Sequence, residues 1–312
     1  MVEHSTVNRD VAGSRPARPA KVRRYNVKMK FHYFGGQVSI NSSNIDELED
    51  AHCDGILFTY RPQQGDFFPF VARTMKLDQK IKYMIAIRPH VVSPQYLCMI
   101  NQSMKDIQPN RIQINIIAGH IKPDELEYGG ILGSVNDQSS IPDRVNYMID
   151  YIKELKIMEK NHIEIPDCYV TCTNQYALEA AAKLGYKIIF PYREYKFGYF
   201  LDRSVEGQEK PGDTFDLSGK HIMLAISPII RDTQEEIDNE FPKDVVVHTQ
   251  DGKSYIDRPR FAKDTAYFTY DRFVSFIKEL ESKGINEMLF NGYPESERKS
   301  LIKYIKKYKE SE

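Results

Sequence analysis

Residues Tyr83–Gly119 read YMIAIRPHVVSPQYLCMINQSMKDIQPNRIQINIIAG. The stretch opens inside a near-continuous apolar run, Ile81–Arg88, and closes on a second, Arg111–Ala118. Between them Ser93-Pro94 supplies an N-cap residue and a proline suited to a first helical turn, which predicts a helix over Ser93–Ile107. Apolar runs of this kind fit parallel strands covered on the outside by helices, since a strand buried on both faces has no need to alternate. The stretch is a strand–helix–strand unit.

Working outward, the same unit recurs. Strands are predicted at Val27–Phe34, Gly55–Tyr60, Ile81–Arg88, Arg111–Ala118, Asp167–Thr173, Lys187–Pro191, His221–Ile230 and Glu287–Asn291. Helices are predicted at Ser43–Cys53, Ser93–Ile107, Pro142–Glu159, Asn174–Leu184, Asp232–Phe241, Tyr270–Lys283 and Glu295–Lys307. Leu184-Gly185 and Lys283-Gly284 read as helix ends closed by a C-terminal glycine. Eight successive βα units without a composition break predict an α/β fold, a single (β/α)8 TIM barrel over residues 26–312. A doubly wound open sheet is the structural alternative.

Residues 1–25 hold Gly13, Ser14, Pro16, Pro19 and several Arg with little apolar periodicity, so they are expected to form a flexible tail. No charged-then-apolar leader pattern opens the chain, and no apolar run is long enough to span a bilayer. Lys and Arg number 43 against 44 Asp and Glu, a net charge of -1 that argues against polyanion and membrane-surface partners. The four cysteines, Cys53, Cys98, Cys168 and Cys172, form no C-x-x-C pair and read as buried thiols, pointing to a cytoplasmic setting.

Familiar phosphate, nucleotide and hydrolase signatures are missing: there is no G-x-G-x-x-G, Walker loop, H-E-x-x-H or G-x-S-x-G. The eight histidines include no i, i+4 pair, so no local metal site is expected. Two stretches do not fit the repeat. Tyr192–Gly219 and Pro242–Asp264 are rich in Gly, Pro and charge and are expected to be long loops, which at the C-terminal face of a barrel lie beside the catalytic centre. The second reads equally as a lid or as a surface excursion.

The informative residues are where strands end. The third strand runs Ala86-Ile87-Arg88-Pro89, and the proline stops the ladder just after the arginine. Arg88 then presents a cation to an anion or a flavin edge, or else ion-pairs at the barrel rim. On the fourth strand Asn115 needs a partner inside an apolar run, and Gly119 permits a ligand close to the backbone. The fifth ends Thr171-Cys172-Thr173-Asn174, leading into a helix. Small hydroxyl and amide groups there make an anion site, or simply cap the helix. The eighth ends Asn291-Gly292-Tyr293-Pro294-Glu295, where Tyr293 serves as an acid or hydrogen-bond donor, or packs against the last helix.

Together these segments resemble the bacterial luciferase-like flavin-dependent monooxygenases, with alkanesulfonate monooxygenase the closest pattern. Tyr83–Gly119 resembles that family's strand–RPG–SP–helix–strand run; Tyr169–Pro191 resembles the segment placing two small hydroxyl residues before a helix ending A-A-x-x-G. GINEMLFNGYPESERKSLIKYI, within Tyr270–Lys307, resembles its closing strand, GYP turn and helix. The resemblance covers the chain from Val27 to its C-terminus. It implies a (β/α)8 barrel and reduced FMN, supplied by a separate flavin reductase. It further implies a flavin peroxide, formed with O2, that oxidises a small organic substrate, in a homodimer or homotetramer.

Carried over residue by residue, Thr173 and Asn174 match the positions that hold the FMN phosphate, Arg260 matches an arginine of the mobile lid, and Tyr293 the tyrosine of the GYP turn. Strand-end position, by contrast, assigns Ala86, Arg88, Asn115, Gly119 and Thr171 to the flavin cavity. The departures bear on the substrate. Where alkanesulfonate enzymes carry Arg and His on the seventh strand, this chain has Ala225 and Ser227, followed by Arg231. Their pocket cysteine falls near Gln64, and the histidine after GYP falls on Glu295. Losing a cation and gaining a carboxylate disfavours a sulfonate guest. An amine or zwitterion paired to Glu295 fits better. A deazaflavin-dependent hydride-transfer enzyme and a flavin-binding relative without turnover are the alternatives.

Overall fold

Side chains alternate between two sides of a strand, and two separate cores follow from that. The computed structural model describes residues 28–34, 42–59, 66–75, 80–118, 141–205, 208–240, 246–248, 254–256, 265–290 and 295–312. Numbered along the chain, β1 (Lys30–Phe34), β2 (Gly55–Phe58), β3 (Lys82–Ile87), β4 (Ile112–Ile116), β5 (Asp167–Thr171), β6 (Lys187–Pro191), β9 (Ile222–Arg231) and β13 (Glu287–Phe290) form one parallel sheet. β1 pairs with β2 and β13, and β9 pairs with β6 and β13, so the sheet closes on itself as an eight-stranded (β/α)8 barrel. All eight strands are those the sequence predicts, with no end shifted by more than three residues and β6 matching at both ends.

Outward positions such as Phe31, Ile56, Tyr83, Ile114, Val170, Ile188, Leu224 and Met288 belong to the larger core, shared with the helices. Inward positions Leu57, Met84, Ala86, Tyr169, Ile189, Met223, Ala225 and Leu289 fill the barrel itself. The helices outside are α1 (Ser42–Asp50), α2 (Phe67–Thr74), α3 (Pro94–Ile107), α4 (Ile141–Lys160), α5 (Gln175–Lys183), α6 (Tyr192–Phe197), α7 (Gln234–Glu240), α8 (Tyr270–Ser282) and α9 (Glu295–Ser311). Local chemistry sets their ends. Ser93 Oγ accepts from Tyr96 N at 3.2 Å ahead of Pro94 in α3. Gly185 and Gly284, at φ +73° and +81°, follow α5 and α8 in the left-handed region that an L side chain avoids.

Helix α2 escapes the sequence reading because Pro69 interrupts its apolar run. The proline sits in the first turn, where a backbone N–H has no helical partner to lose. Asp66 Oδ1 caps that turn, accepting from Phe68 N at 2.9 Å.

The expectation of a long loop over Tyr192–Gly219 is corrected. That stretch forms α6 and then an antiparallel hairpin, β7 (Tyr199–Val205) with β8 (Gln208–Thr214). Aromatic packing holds it: Phe190 of β6 meets Phe200 and Phe215 at ring-centroid distances of 5.5 and 4.6 Å. Pro211 and Gly212 within β8 hid the strand, both residues being depleted from strand interiors.

Within Pro242–Asp264 a short antiparallel pair forms, β10 (Val246–His248) with β11 (Ser254–Ile256). Next, β12 (Thr265–Thr269) pairs in parallel with Ser227–Arg231, the half of β9 that continues past the barrel rim. The remainder of that stretch and the predicted tail over residues 1–25 lie outside the described residues. The four cysteines are buried and free. Among the described residues no helix is long and apolar enough to cross a membrane.

Candidate functional site

The ends of β3, β4 and β5 bring three of the sequence-predicted residues side by side. Ala86 is in register with Asn115, and Asn115 with Tyr169, which places Thr171 one inward step further along β5. Thr171 Oγ1 donates to Asn115 Oδ1 at 2.8 Å. That bond answers how an amide is tolerated on a strand buried along its whole length: Asn115 is 4% exposed and its acceptor is occupied. Its NH2 group remains as the donor it can offer to a ligand.

Arg88 is the first residue beyond β3 and is 5% exposed. Val91 N donates to Arg88 O at 2.9 Å, so the chain turns at once toward α3 and leaves the guanidinium at the C-terminal end of the barrel. Thr59, the residue after β2, went unnoticed in the sequence. Its Oγ1 is buried without a hydrogen-bond partner among the described residues. By alternation from Leu57 it faces the same interior as Ala86.

At the head of α5 the structure decides between capping and a free anion site for one residue. Asn174 Oδ1 accepts from Ala177 N at 2.9 Å, an N-cap. Only its amide NH2 is left for an anion. Thr173, just before it, is exposed. Ala225 lies in the barrel interior and Ser227 is buried at the next inward position. Arg231 points its charge elsewhere: it contacts Glu240 and holds Glu297 at 3.1 Å. Those two carboxylates raise its already high pKa. Gly119, Arg260, Tyr293 and Gln64 lie outside the described residues, and Glu295 is placed only as the first residue of α9.

The opposite end of the barrel holds polar residues that sequence reasoning did not assemble. Glu287, 3% exposed at the start of β13, accepts from Tyr169 Oη at 2.7 Å. It also meets Lys30 Nζ at 3.3 Å, His221 Nε2 at 3.4 Å and His32 Nε2 at 3.9 Å. Burial opposes its charge, yet the bond with His221 and the neighbouring His32 and Tyr169 hold its carboxyl far below the usual range. Burial also pushes His32 down to about 4. A usable signal existed: His32 interrupts Phe31 and Tyr33, and Gln113 and Asn115 alternate through IQINI, so the polar positions share the inward period.

No sequence-family profile matches the chain, and no curated protein matches it. Its fold is similar to those of several solved structures. One is EDTA monooxygenase from Chelativorans sp. BNC1, with a TM-score of 0.59 at 8% identity over 91% of this chain and 94% of that one. Another is riboflavin lyase, solved with modified FMN and riboflavin, with a TM-score of 0.56 at 10% identity over 89% and 90%. A third is an F420-dependent secondary alcohol dehydrogenase, with a TM-score of 0.56 at 12% identity over 90% and 98%. At such identities the likeness is one of fold.

Proposed function

We propose that this chain is a luciferase-like oxidoreductase. In this reading it is a two-component monooxygenase that takes reduced FMN from a separate flavin reductase and uses O2 to oxidise a small organic molecule. The observation that carries the reading is the Ala86–Asn115–Thr171 row, with its 2.8 Å hydrogen bond, at the strand ends where (β/α)8 enzymes place their chemistry. The solved folds it resembles include a monooxygenase and an enzyme holding modified FMN.

The residues present fit a flavin. Ala86 and Ala225 are small inward side chains near the rim, and the unpartnered Thr59 Oγ1 offers a donor there. When bound, reduced flavin supplies the two electrons that activate O2. In this reading Arg88, Asn115, Gly119 and Thr171 bind and orient the ring system, while Thr173 and the Asn174 amide hold its phosphate. Arg260 closes the site and Tyr293 orients oxygen or substrate. With Ala225 and Ser227 where a sulfonate site would need cations, and with Glu295 directly after the Gly292-Tyr293-Pro294 turn in sequence, the substrate is an amine or zwitterion rather than a simple alkanesulfonate.

The likeness to an F420-dependent dehydrogenase favours a second reading, hydride transfer with a deazaflavin. Anaerobic titration with reduced FMN, oxidised FMN and a deazaflavin separates the two. Selective binding of reduced FMN, with O2 consumed when a reductase is present, is the expected result. Deazaflavin binding without O2 uptake would transfer the assignment to the second reading, and binding of no flavin would end both. Glu295→Gln should impair oxidation of an amine substrate while leaving FMN affinity within about twofold.

A further inference from the structure

A cavity of about 340 Å³ lies at the N-terminal end of the barrel, opposite the flavin site proposed above. It is of ligand size and reaches the surface at the exposed Lys80. Five of its lining side chains are lysines, against three carboxylates, Glu49, Asp54 and Glu287. Three of the lysines are held: Lys30 by Glu287 at 3.3 Å, Lys187 by Asp167 at 2.8 Å, and Lys309 by Asp54 at 3.2 Å. The ammonium groups of Lys80 and Lys82 have neither an ion pair nor a hydrogen bond among the described residues. Lys82 is no ordinary surface lysine. It opens β3 in register with Gly55, on the inward face that continues through Met84 and Ala86.

The second observation is at the cavity's inner wall. His32 is 2% exposed, and among the described residues neither ring nitrogen has a hydrogen-bond partner. Gln113, 3% exposed, spends its NH2 on Asp167 and Tyr169, while its Oε1 has no partner among the described residues. A buried polar group left unpaired is costly, and here two of them line one cavity beside two lysines whose ammonium groups stand outside any ion pair among the described residues.

We infer that this cavity is a binding site for a small hydroxyl-bearing oxyanion: its phosphate or carboxylate oxygens sit between Lys80 and Lys82, and its hydroxyl, beside His32, donates to Gln113 Oε1. The excess of lysine excludes a metal cation, and among the described residues no group of three His, Cys, Asp or Glu is placed to hold one. The chain's own residues 1–27 are an unsuitable occupant, carrying six Lys and Arg against two Asp and Glu. The site is separate from the flavin reading and does not depend on it.

Thermal unfolding of the full chain tests it, with inorganic phosphate in one arm, citrate in the other, and chloride at matched ionic strength as reference. At saturation the preferred anion should raise Tm by roughly 5 °C, and Lys82→Gln should abolish that rise. The stronger arm identifies phosphate or carboxylate as the group recognised. Should Lys82→Gln fail to fold, Lys80→Gln, altering an exposed side chain, must reduce the rise at least by half. No rise with either anion, or a rise that these lysine variants leave intact, overturns the inference. The latter result would place the anion elsewhere, as at the head of α5.

Discussion

Tyr169 Oη donates a 2.7 Å hydrogen bond to Glu287 Oε2, joining β5 to β13 across the barrel interior and linking positions 118 residues apart. Both side chains are buried, and the Tyr169 ring is also covered by Lys187 Nζ at 4.9 Å from its centroid. Hydrogen bonds to a buried charge are worth more than neutral ones, because the unpaired carboxylate oxygen retains its full desolvation cost. Tyr169→Phe keeps the ring and its lysine contact while removing the donor. The expected loss is about 2 kcal/mol in urea unfolding, with the denaturant slope unchanged. A loss below about 0.5 kcal/mol would show that the carboxylate is held by Lys30 and His221 alone.

Acid should weaken the protein in two windows. Burial keeps His32 neutral in the folded state, lowering its pKa from 6.5 to about 4. Below pH 6.5 the unfolded chain therefore binds a proton that the native state refuses, so stability falls as pH drops from 6.5 toward 4. The contribution is on the order of 3 kcal/mol. Glu287 acts in the next window. Its carboxyl is held low, so its stabilisation is present above the ordinary carboxylate value of about 4.3 and is lost as pH falls beneath it. In His32→Asn the pH dependence between 6.5 and 4 should flatten relative to the parent, measured as urea midpoints across that range. An unaltered slope would assign the effect to other groups.

Gly55 faces His32 across the β1–β2 register, and a methyl group added at Gly55 would stand 2.3 Å from His32 Nδ1. Neither backbone can yield, since each strand is paired on both sides in the closed sheet. Gly55→Ala should cost about 3 kcal/mol through overpacking. The double variant Gly55→Ala/His32→Ala should recover more than half of that, because removing the imidazole vacates the space. Two independent penalties that simply add would refute the contact.

The barrel was legible because its information is local. Each of the eight strands is a short apolar run set off by turn or cap residues, and Ser93-Pro94, Gly185 and Gly284 mark helix ends by chemistry confined to one turn. The β7–β8 hairpin was not legible, since Phe200 and Phe215 become a clamp only once Phe190 is beside them. The same limit applies to sites. Asn115 and Thr171 could be chosen singly as strand-end polar residues, but their hydrogen bond depends on the β4–β5 register. Glu287 begins a predicted strand and gives no sign, in sequence, that Tyr169, His32, His221 and Lys30 converge on it.

Asn174 offers a way to separate its two roles. Its Oδ1 caps α5 by accepting from Ala177 N, and in the flavin reading its amide also faces the cofactor phosphate. Asn174→Ala removes both and should cost about 1 kcal/mol of stability along with FMN affinity. Asn174→Asp is the discriminating change. Aspartate caps a helix as well as asparagine does, and its charge suits the helix N-terminus, so Tm should hold or rise slightly. That same charge beside a phosphate should weaken FMN binding by at least tenfold, in a manner relieved by added salt. If Asn174→Asp leaves FMN affinity intact, the head of α5 is only a capped helix end, and the phosphate of any flavin bound here must be held elsewhere.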